Sequence, residues 1–203
     1  MKRLRFIALA AWLLMAGAAH AMPVTYTVAT KISRVSFTIE HQGFIQLFGT
    51  LRMAPGTFTF DEADWSKSQV NVTLPTSTLD MGDAHWNQQI RGDKEWMPLF
   101  SHPTITFRST RLEKKDDTHG TLYGELTLGG VTRPMELPLQ LNKVGINAVS
   151  EQPSVGFSAA TTIKRSQFGI DGYSDLVGDD IKVQIQLEAA VGPDPGAPQA
   201  AHR

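Results

Sequence analysis

The chain has 203 residues, a formal net charge of −1, 41% hydrophobic residues and no cysteine. Near-neutrality without a Lys/Arg block excludes the electrostatic footprint of a nucleic-acid binder. The missing cysteines exclude disulfide staples, thiolate metal sites and a thiol nucleophile, and a chain of this length can build its core without them.

The opening "MKRLRFIALAAWLLMAGAAHA" carries Lys2, Arg3 and Arg5, an apolar run from Phe6, and Ala19-His20-Ala21. This reads as a secretory signal, residues 1–21, cut after Ala21. Its apolar run is shorter than the roughly 20 residues of a spanning helix, and a lipoprotein anchor would need a cysteine at the cut. The reading predicts export to the periplasm, with secretion as the alternative, and no stable membrane anchor. Cleavage leaves 203 − 21 = 182 residues with a charge of −1 − 3 = −4, a size that suits one domain, residues 22–191.

Val24–Val28 reads as a short first strand. In "SRVSFTIEHQGF", Val35, Phe37 and Ile39 share one face at a period of two, opposite Ser36, Thr38 and Glu40. His41 is next on the apolar face, and Gly43 marks a turn. "FIQLFGTLRM" and "GTFTFD" follow, broken by Ala54-Pro55-Gly56, and Gln69–Pro75 alternates Val70, Val72 and Leu74 against polar partners. The stretch from Asp80 to Trp96 has no β-branched run and spaces Trp86 and Ile90 at i, i+4. It predicts a short helix over Asp83–Arg91, opened by an aspartate cap. Strands resume at "TITFRSTRLE" and continue through "TLYGELTLGG", "RPMELPLQLNKV" and "SVGFSAATTIKR". "DIKVQIQLEAAV" ends the set, with Ile181, Val183, Ile185 and Leu187 on one face. The Pro/Gly/Ala-rich residues 192–203 predict a disordered tail.

About eight strands, each with an apolar and a polar face, give an all-β antiparallel sandwich or closed barrel. Eight strands is the size at which a barrel is either filled by side chains or holds one small ligand. Gly124, beside Leu122 and Leu126, and Ala159, beside Phe157 and Thr161, leave two readings open. Small inner residues make a lumen, or they make room for a neighbour's ring. Pro134 and Pro138 cannot donate to a ladder, which puts their strand at a seam or mouth.

The polar candidates also carry alternatives. His41 is a rim residue bonded to backbone, a headgroup contact or a metal ligand. Asp80, Asp83 and His85 are metal-capable, but a helix start explains the aspartates as caps. Asp93 and Glu95 lie in a polar stretch, the histidines are scattered, and G-x-S-x-G is absent, so no catalytic constellation is present. In Arg91-Gly92-Asp93, the arginine anchors the helix by a salt bridge. Arg165, Phe168 and Tyr173 contact a headgroup or lock the loop before the last strand. Trp86, Ile90 and Trp96 form a lid over a mouth or the packing side of the helix.

Four blocks carry a resemblance. "YTVATKISRVSFTIEHQGF", "VNVTLPTSTLDMGDAHWNQQIRGDKEWMPLFSHPTITFRST", "GTLYGELTLGGVTRPMELPL" and "FSAATTIKRSQFGI" resemble, in order from Tyr26 to Ala189, the YceI-like family of exported lipid-binding proteins. The resemblance implies an eight-stranded, antiparallel, lipocalin-like barrel with the helix near its mouth. It also implies a long isoprenoid or other amphiphilic chain in the lumen, and no catalysis. Ala29-Thr30-Lys31-Ile32-Ser33 departs from the family's Asp-Pro-Ala-His-Ser, and Gln167 stands where many members have Asp. Both changes bear on the barrel end and the headgroup.

On this reading the lining is Phe37, Ile39, Phe107, Leu126, Phe157, Ile163, Val183 and Ile185, with His41 and Arg165 near the polar end. The expected partner is an amphiphilic lipid (polyisoprenoid, isoprenoid quinone or fatty-acid derivative), with no other cofactor, no metal and no nucleic acid. Homodimerisation is compatible with the pattern but not encoded in it. The rival reading is an envelope stress-related interaction module with a packed core and no lipid.

Overall fold

The period-two alternation becomes ten strands in the computed structural model, which describes residues 22–194. They are β1 (Val24–Val28), β2 (Arg34–His41), β3 (Ile45–Arg52), β4 (Thr57–Phe60) and β5 (Asn71–Pro75), then β6 (Thr104–Lys114), β7 (His119–Leu128), β8 (Val131–Ile146), β9 (Pro153–Lys164) and β10 (Val177–Ala190). Eight of them form one antiparallel path, β3-β2-β10-β9-β8-β7-β6-β5. Tight turns set its registers. Between β2 and β3, Gln42 and Gly43 both take positive φ, 53° and 72°, and the Phe44 N–H donates to the His41 carbonyl at 3.0 Å. That is the turn whose twist matches a hairpin.

The expected count of eight is the length of this path and not of the whole set. β1 and β4 leave it: they pair with each other, and β1 also pairs with the end of β10. Ala54-Pro55-Gly56 is the cause, because Pro55 has no N–H to continue the β3 ladder and the chain bends there. The path curls into a half-barrel whose terminal strands, β3 and β5, share no ladder. They are linked instead by Thr50 exchanging two backbone bonds with Asp80, and by the Ala54 N–H donating to the Thr73 carbonyl at 2.8 Å. Pro134 and Pro138 do mark a loose seam. The β8–β9 ladder has its first pair at Leu139–Ala159, beyond both prolines.

One end of the curl is filled by rings. Phe60 meets Trp65 at 5.6 Å and Phe157 at 5.1 Å, both edge-on, and Tyr26 stacks on Phe58 at 5.8 Å. Such pairs each add about 0.5–1.5 kcal/mol beyond the area they bury. The opposite end receives the segment between β5 and β6, which holds α1 (Ala84–Gly92) and the short α2 (Met97–Phe100). Asp83 caps α1, accepting from the Trp86 N–H at 2.7 Å. Asp80 accepts from the Asn87 amide at 2.8 Å and from the Gly82 N–H at 2.9 Å. Those donors, Asn87 foremost, hold the Asp80 carboxyl below the ordinary carboxylate range. Both aspartates thus serve the helix start. Among the described residues Arg91 forms no salt bridge, contrary to the expectation. Its guanidinium donates to the carbonyls of Leu79 at 2.8 Å and Ser77 at 3.2 Å, which tie the helix to the β5 side.

The proposed signal, residues 1–21, lies outside the described residues, as do residues 195–203 of the tail. Gly192 and Asp194 are held, by the Thr27 and Thr30 hydroxyls respectively.

Candidate functional site

The inner faces of the curl surround a cavity of about 650 Å³. Registers across the sheet stack its wall in rows. Val35, Ile185 and Ala159 lie side by side on β2, β10 and β9, as do Phe37, Val183 and Thr161, and Ile39, Ile181 and Ile163. Val72, Phe107 and Leu126 make a matching row on β5, β6 and β7. Because strand side chains alternate faces, one register fixes the whole wall.

Every lining residue named from sequence borders this cavity: Phe37, Ile39, His41, Phe107, Leu126, Phe157, Ile163, Arg165, Val183 and Ile185. Trp86, Ile90 and Trp96 border it too, at the helix end. Trp86, Gln89, Ile90 and Asp93 fall at i, i+3, i+4 and i+7, so α1 turns one face to the space. Sequence reasoning missed Gln89 and placed Asp93 only in a polar stretch, although the helical spacing from Trp86 pointed to both. It also missed Leu47, Met81 and Leu176, while Tyr173, left open between a headgroup contact and a loop lock, borders the cavity too.

Of the two readings of small residues, Gly124 takes the second. A Cβ there would lie 2.5 Å from Phe107 Cζ, so the glycine seats that ring. Gly49 does the same for Phe37, whose Cζ would be 2.4 Å away. Ala159, by contrast, faces the cavity itself.

The polar groups gather at the helix end. His41 Nε2 lies 3.3 Å from the side-chain amide nitrogen of Gln42. Arg165 is 2% exposed and locks the β9–β10 loop. Its Nε donates to the Gly178 carbonyl at 2.9 Å, Nη1 to Ile170 at 2.9 Å and Gly172 at 2.7 Å, and Nη2 to Val177 at 2.7 Å. That is four bonds from the five N–H groups of a guanidinium. The Trp96 ring lies 5.6 Å from the guanidinium carbon and 6.1 Å from the Tyr173 ring. Tyr173 OH donates to Asp93 Oδ2 at 2.7 Å, joining the loop to the segment after α1. The Tyr173 hydroxyl, and after it the Glu95 N–H, hold the Asp93 carboxyl below its ordinary range, while the same bond raises the Tyr173 phenol. Among the described residues, no three His, Asp or Glu side chains converge closely enough to hold a metal ion. Such a site can enclose an apolar body and offer a few polar groups at one end.

Comparison with known proteins fits this geometry. The chain is 35% identical over 187 residues to a UPF0312 protein of Enterobacter, covering 92% of this chain and 96% of that one. Its fold is shared with BcnA of Burkholderia cenocepacia at a TM-score of 0.68 and 22% identity, over 80% of this chain and 99% of the other. A polyisoprenoid binding domain from Saccharophagus degradans matches at a TM-score of 0.61 and 11% identity, over 82% of this chain and 98% of its own. The YceI-like domain matches residues 26–189, a span that begins inside β1 and ends inside β10. That span takes in the whole curled sheet, the cavity and the helical insert, and the chain therefore belongs to the YceI-like family.

Proposed function

We propose that this protein is a periplasmic carrier that holds a long apolar chain in the cavity and releases it chemically unchanged. The carrying observation is the vacant, hydrocarbon-lined interior of about 650 Å³, well within the range of small-molecule sites. In this reading the curled sheet acts as a closed eight-stranded barrel, with the Thr50–Asp80 bridge sealing its side and α1 covering its mouth. The shared fold with a polyisoprenoid binding domain supports the choice of cargo: a polyisoprenoid, an isoprenoid quinone or a fatty-acid derivative. A packed interaction module needs an interior without such space.

The energetics suit this cargo. At about 0.8 kcal/mol per buried methylene, ten methylenes contribute about 8 kcal/mol before the chain's lost freedom is subtracted. Affinity then comes from length and dryness, and headgroup contacts with His41, Asp93 or the remaining Arg165 N–H set orientation.

Native mass spectrometry of freshly purified protein tests the reading. The wild type should carry a hydrophobic molecule that organic extraction releases intact. Ala159→Phe, which places a ring in the empty space, should lose it while unfolding at the same or a higher temperature. A wild type that is clean and takes up no labelled polyprenol would sink the proposal.

A further inference from the structure

The β2–β3 turn leaves Phe44 83% and Ile45 55% exposed, and Leu176, in the loop before β10, is 43% exposed. The Gln42 N–H donates to the Leu176 carbonyl at 2.8 Å, so turn and loop form one surface. Ile45 pairs with His41, and His41 and Leu176 both border the cavity. The exposed apolar rim is therefore continuous with the inner wall. The turn is stiff, with two residues at positive φ and the Gly43 N–H held by the Glu40 carboxylate. It projects Phe44 into water, where a ring beside a branched chain is unfavourable unless something covers them.

The charges on the segments that form this rim are mostly negative: Glu40, Asp93, Glu95, Asp171 and Asp175 against Lys94 and two arginines, Arg91 and the buried Arg165, whose guanidiniums are turned to backbone carbonyls. Such a ring is repelled by an anionic bilayer. It complements the ammonium groups that stand outermost on zwitterionic headgroups.

We propose that this rim docks on a zwitterionic lipid bilayer, with Phe44 and Ile45 inserted among the headgroups and the cavity mouth facing the lipid. The purpose assigned to docking rests on the carrier reading. Each methylene that must cross water slows transfer roughly fourfold, and a rim seated in the bilayer removes that crossing. The docking itself is a separate, measurable property.

The test is co-sedimentation of the exported protein, after cleavage at Ala21, with extruded phosphatidylcholine/phosphatidylethanolamine vesicles, wild type against Phe44→Ser/Ile45→Ser. The apolar run and the Lys2, Arg3 and Arg5 charges of the N-terminal segment are then absent from both proteins. The substituted side chains are exposed, and the variant should unfold at the wild-type temperature. Partitioning should fall about tenfold for each side chain removed, about a hundredfold together. Adding phosphatidylglycerol should weaken wild-type binding, and salt should restore it. The variant should take up a labelled polyprenol normally from dispersion but slowly from vesicles. Equal sedimentation of the two proteins overturns the proposal, as does tighter binding to phosphatidylglycerol. A wild-type dimer that becomes a monomer in the variant, without vesicle binding, gives the rim to a second copy and also overturns it. Vesicle binding lost in the variant, with no polyprenol uptake by either protein, upholds docking and sinks the carrier reading instead.

Discussion

Replacing Arg165 with Met should destabilise the protein by about 3–4 kcal/mol. The side chain is 2% exposed and donates to four backbone carbonyls of the β9–β10 loop. Hydrogen bonds from a charged donor contribute about 1.5–3 kcal/mol each, so four amount to about 6–12 kcal/mol. Withdrawing the guanidinium from water offsets several of these. Met refills most of the volume but leaves the Ile170, Gly172, Val177 and Gly178 carbonyls without their donor, and some of them regain water when the loop loosens. In urea, where m is about 2 kcal/mol/M for a domain of this size, the midpoint should fall by about 1.5–2 M. Hydrogen exchange should localise the loss. The amides of Leu176 and Val177, both bonded to the Tyr173 carbonyl at 2.9 and 2.8 Å, should lose protection before the central strands. Arg165→Lys should recover less than half, since an ammonium donates from one point and cannot span the fork. A midpoint within about 0.5 M of wild type would show that the loop does not depend on this residue.

Two further predictions concern the wall and the mouth. Gly49→Ala should cost about 1–2 kcal/mol and reduce polyprenol uptake, because the atoms nearest a Cβ there are the movable ends of Phe37 and Met81. Gly124→Ala should cost more, since its Cβ would also lie 2.4 Å from the backbone carbonyl of Arg108; the reverse order in thermal melts would refute this account of the glycines. Tyr173→Phe should give a pH-dependent stability difference from wild type. Asp93, held low in the fold, stabilises above its unfolded pKa, and that contribution is lost as pH falls through its folded value. Tyr173, held high, stabilises below the ordinary phenol range and loses its contribution as pH rises through the folded value. The difference should therefore be greatest near neutrality and vanish toward both extremes, and a flat difference across the range would refute the bond's role.

The wall of the cavity was legible in the sequence because strand parity is a one-bit choice: once Phe37 faces inward, Val35, Ile39 and His41 follow. The helix was legible for a similar reason, as Asp83 and the Trp86–Ile90 spacing are local signals and the structure starts α1 at Ala84. What stayed hidden depends on backbone brought close by tertiary structure. The partners of Arg165 and Arg91 are carbonyls, which every residue has, so neither arginine advertises its role. The departure of β1 and β4 from the main path was equally unreadable. "VTYTV" and "TFTF" look like any other strands, and only the bend at Pro55 decides where they pair. Phe44 shows the same limit, since a ring after a turn reads as a strand start until the structure leaves it in solvent.

The vacancy inside this sheet follows from where its rings are placed. Even a closed barrel of eight strands has an interior that side chains can just fill, and this curled sheet carries many large ones. Four rings, Tyr26, Phe58, Phe60 and Trp65, gather at the end remote from α1, where β1 and β4 bring them together with Phe157. Phe37 and Phe107, nearer the middle, lie over Gly49 and Gly124 and so rest against the sheet instead of standing out from it. The glycines thus keep the lumen open by giving neighbouring rings a flat seat, more than through the small volume they leave themselves. Apart from Phe157, the cavity-lining residues on β9 and β10 are Ala, Ser, Thr, Val, Ile and one Leu, none of them a ring. One end is plugged with aromatics, the wall is flattened in the middle, and the insert that holds α1 and α2 lies beside the other end. A space built this way is open in one direction, and its apolar rim lies on that side.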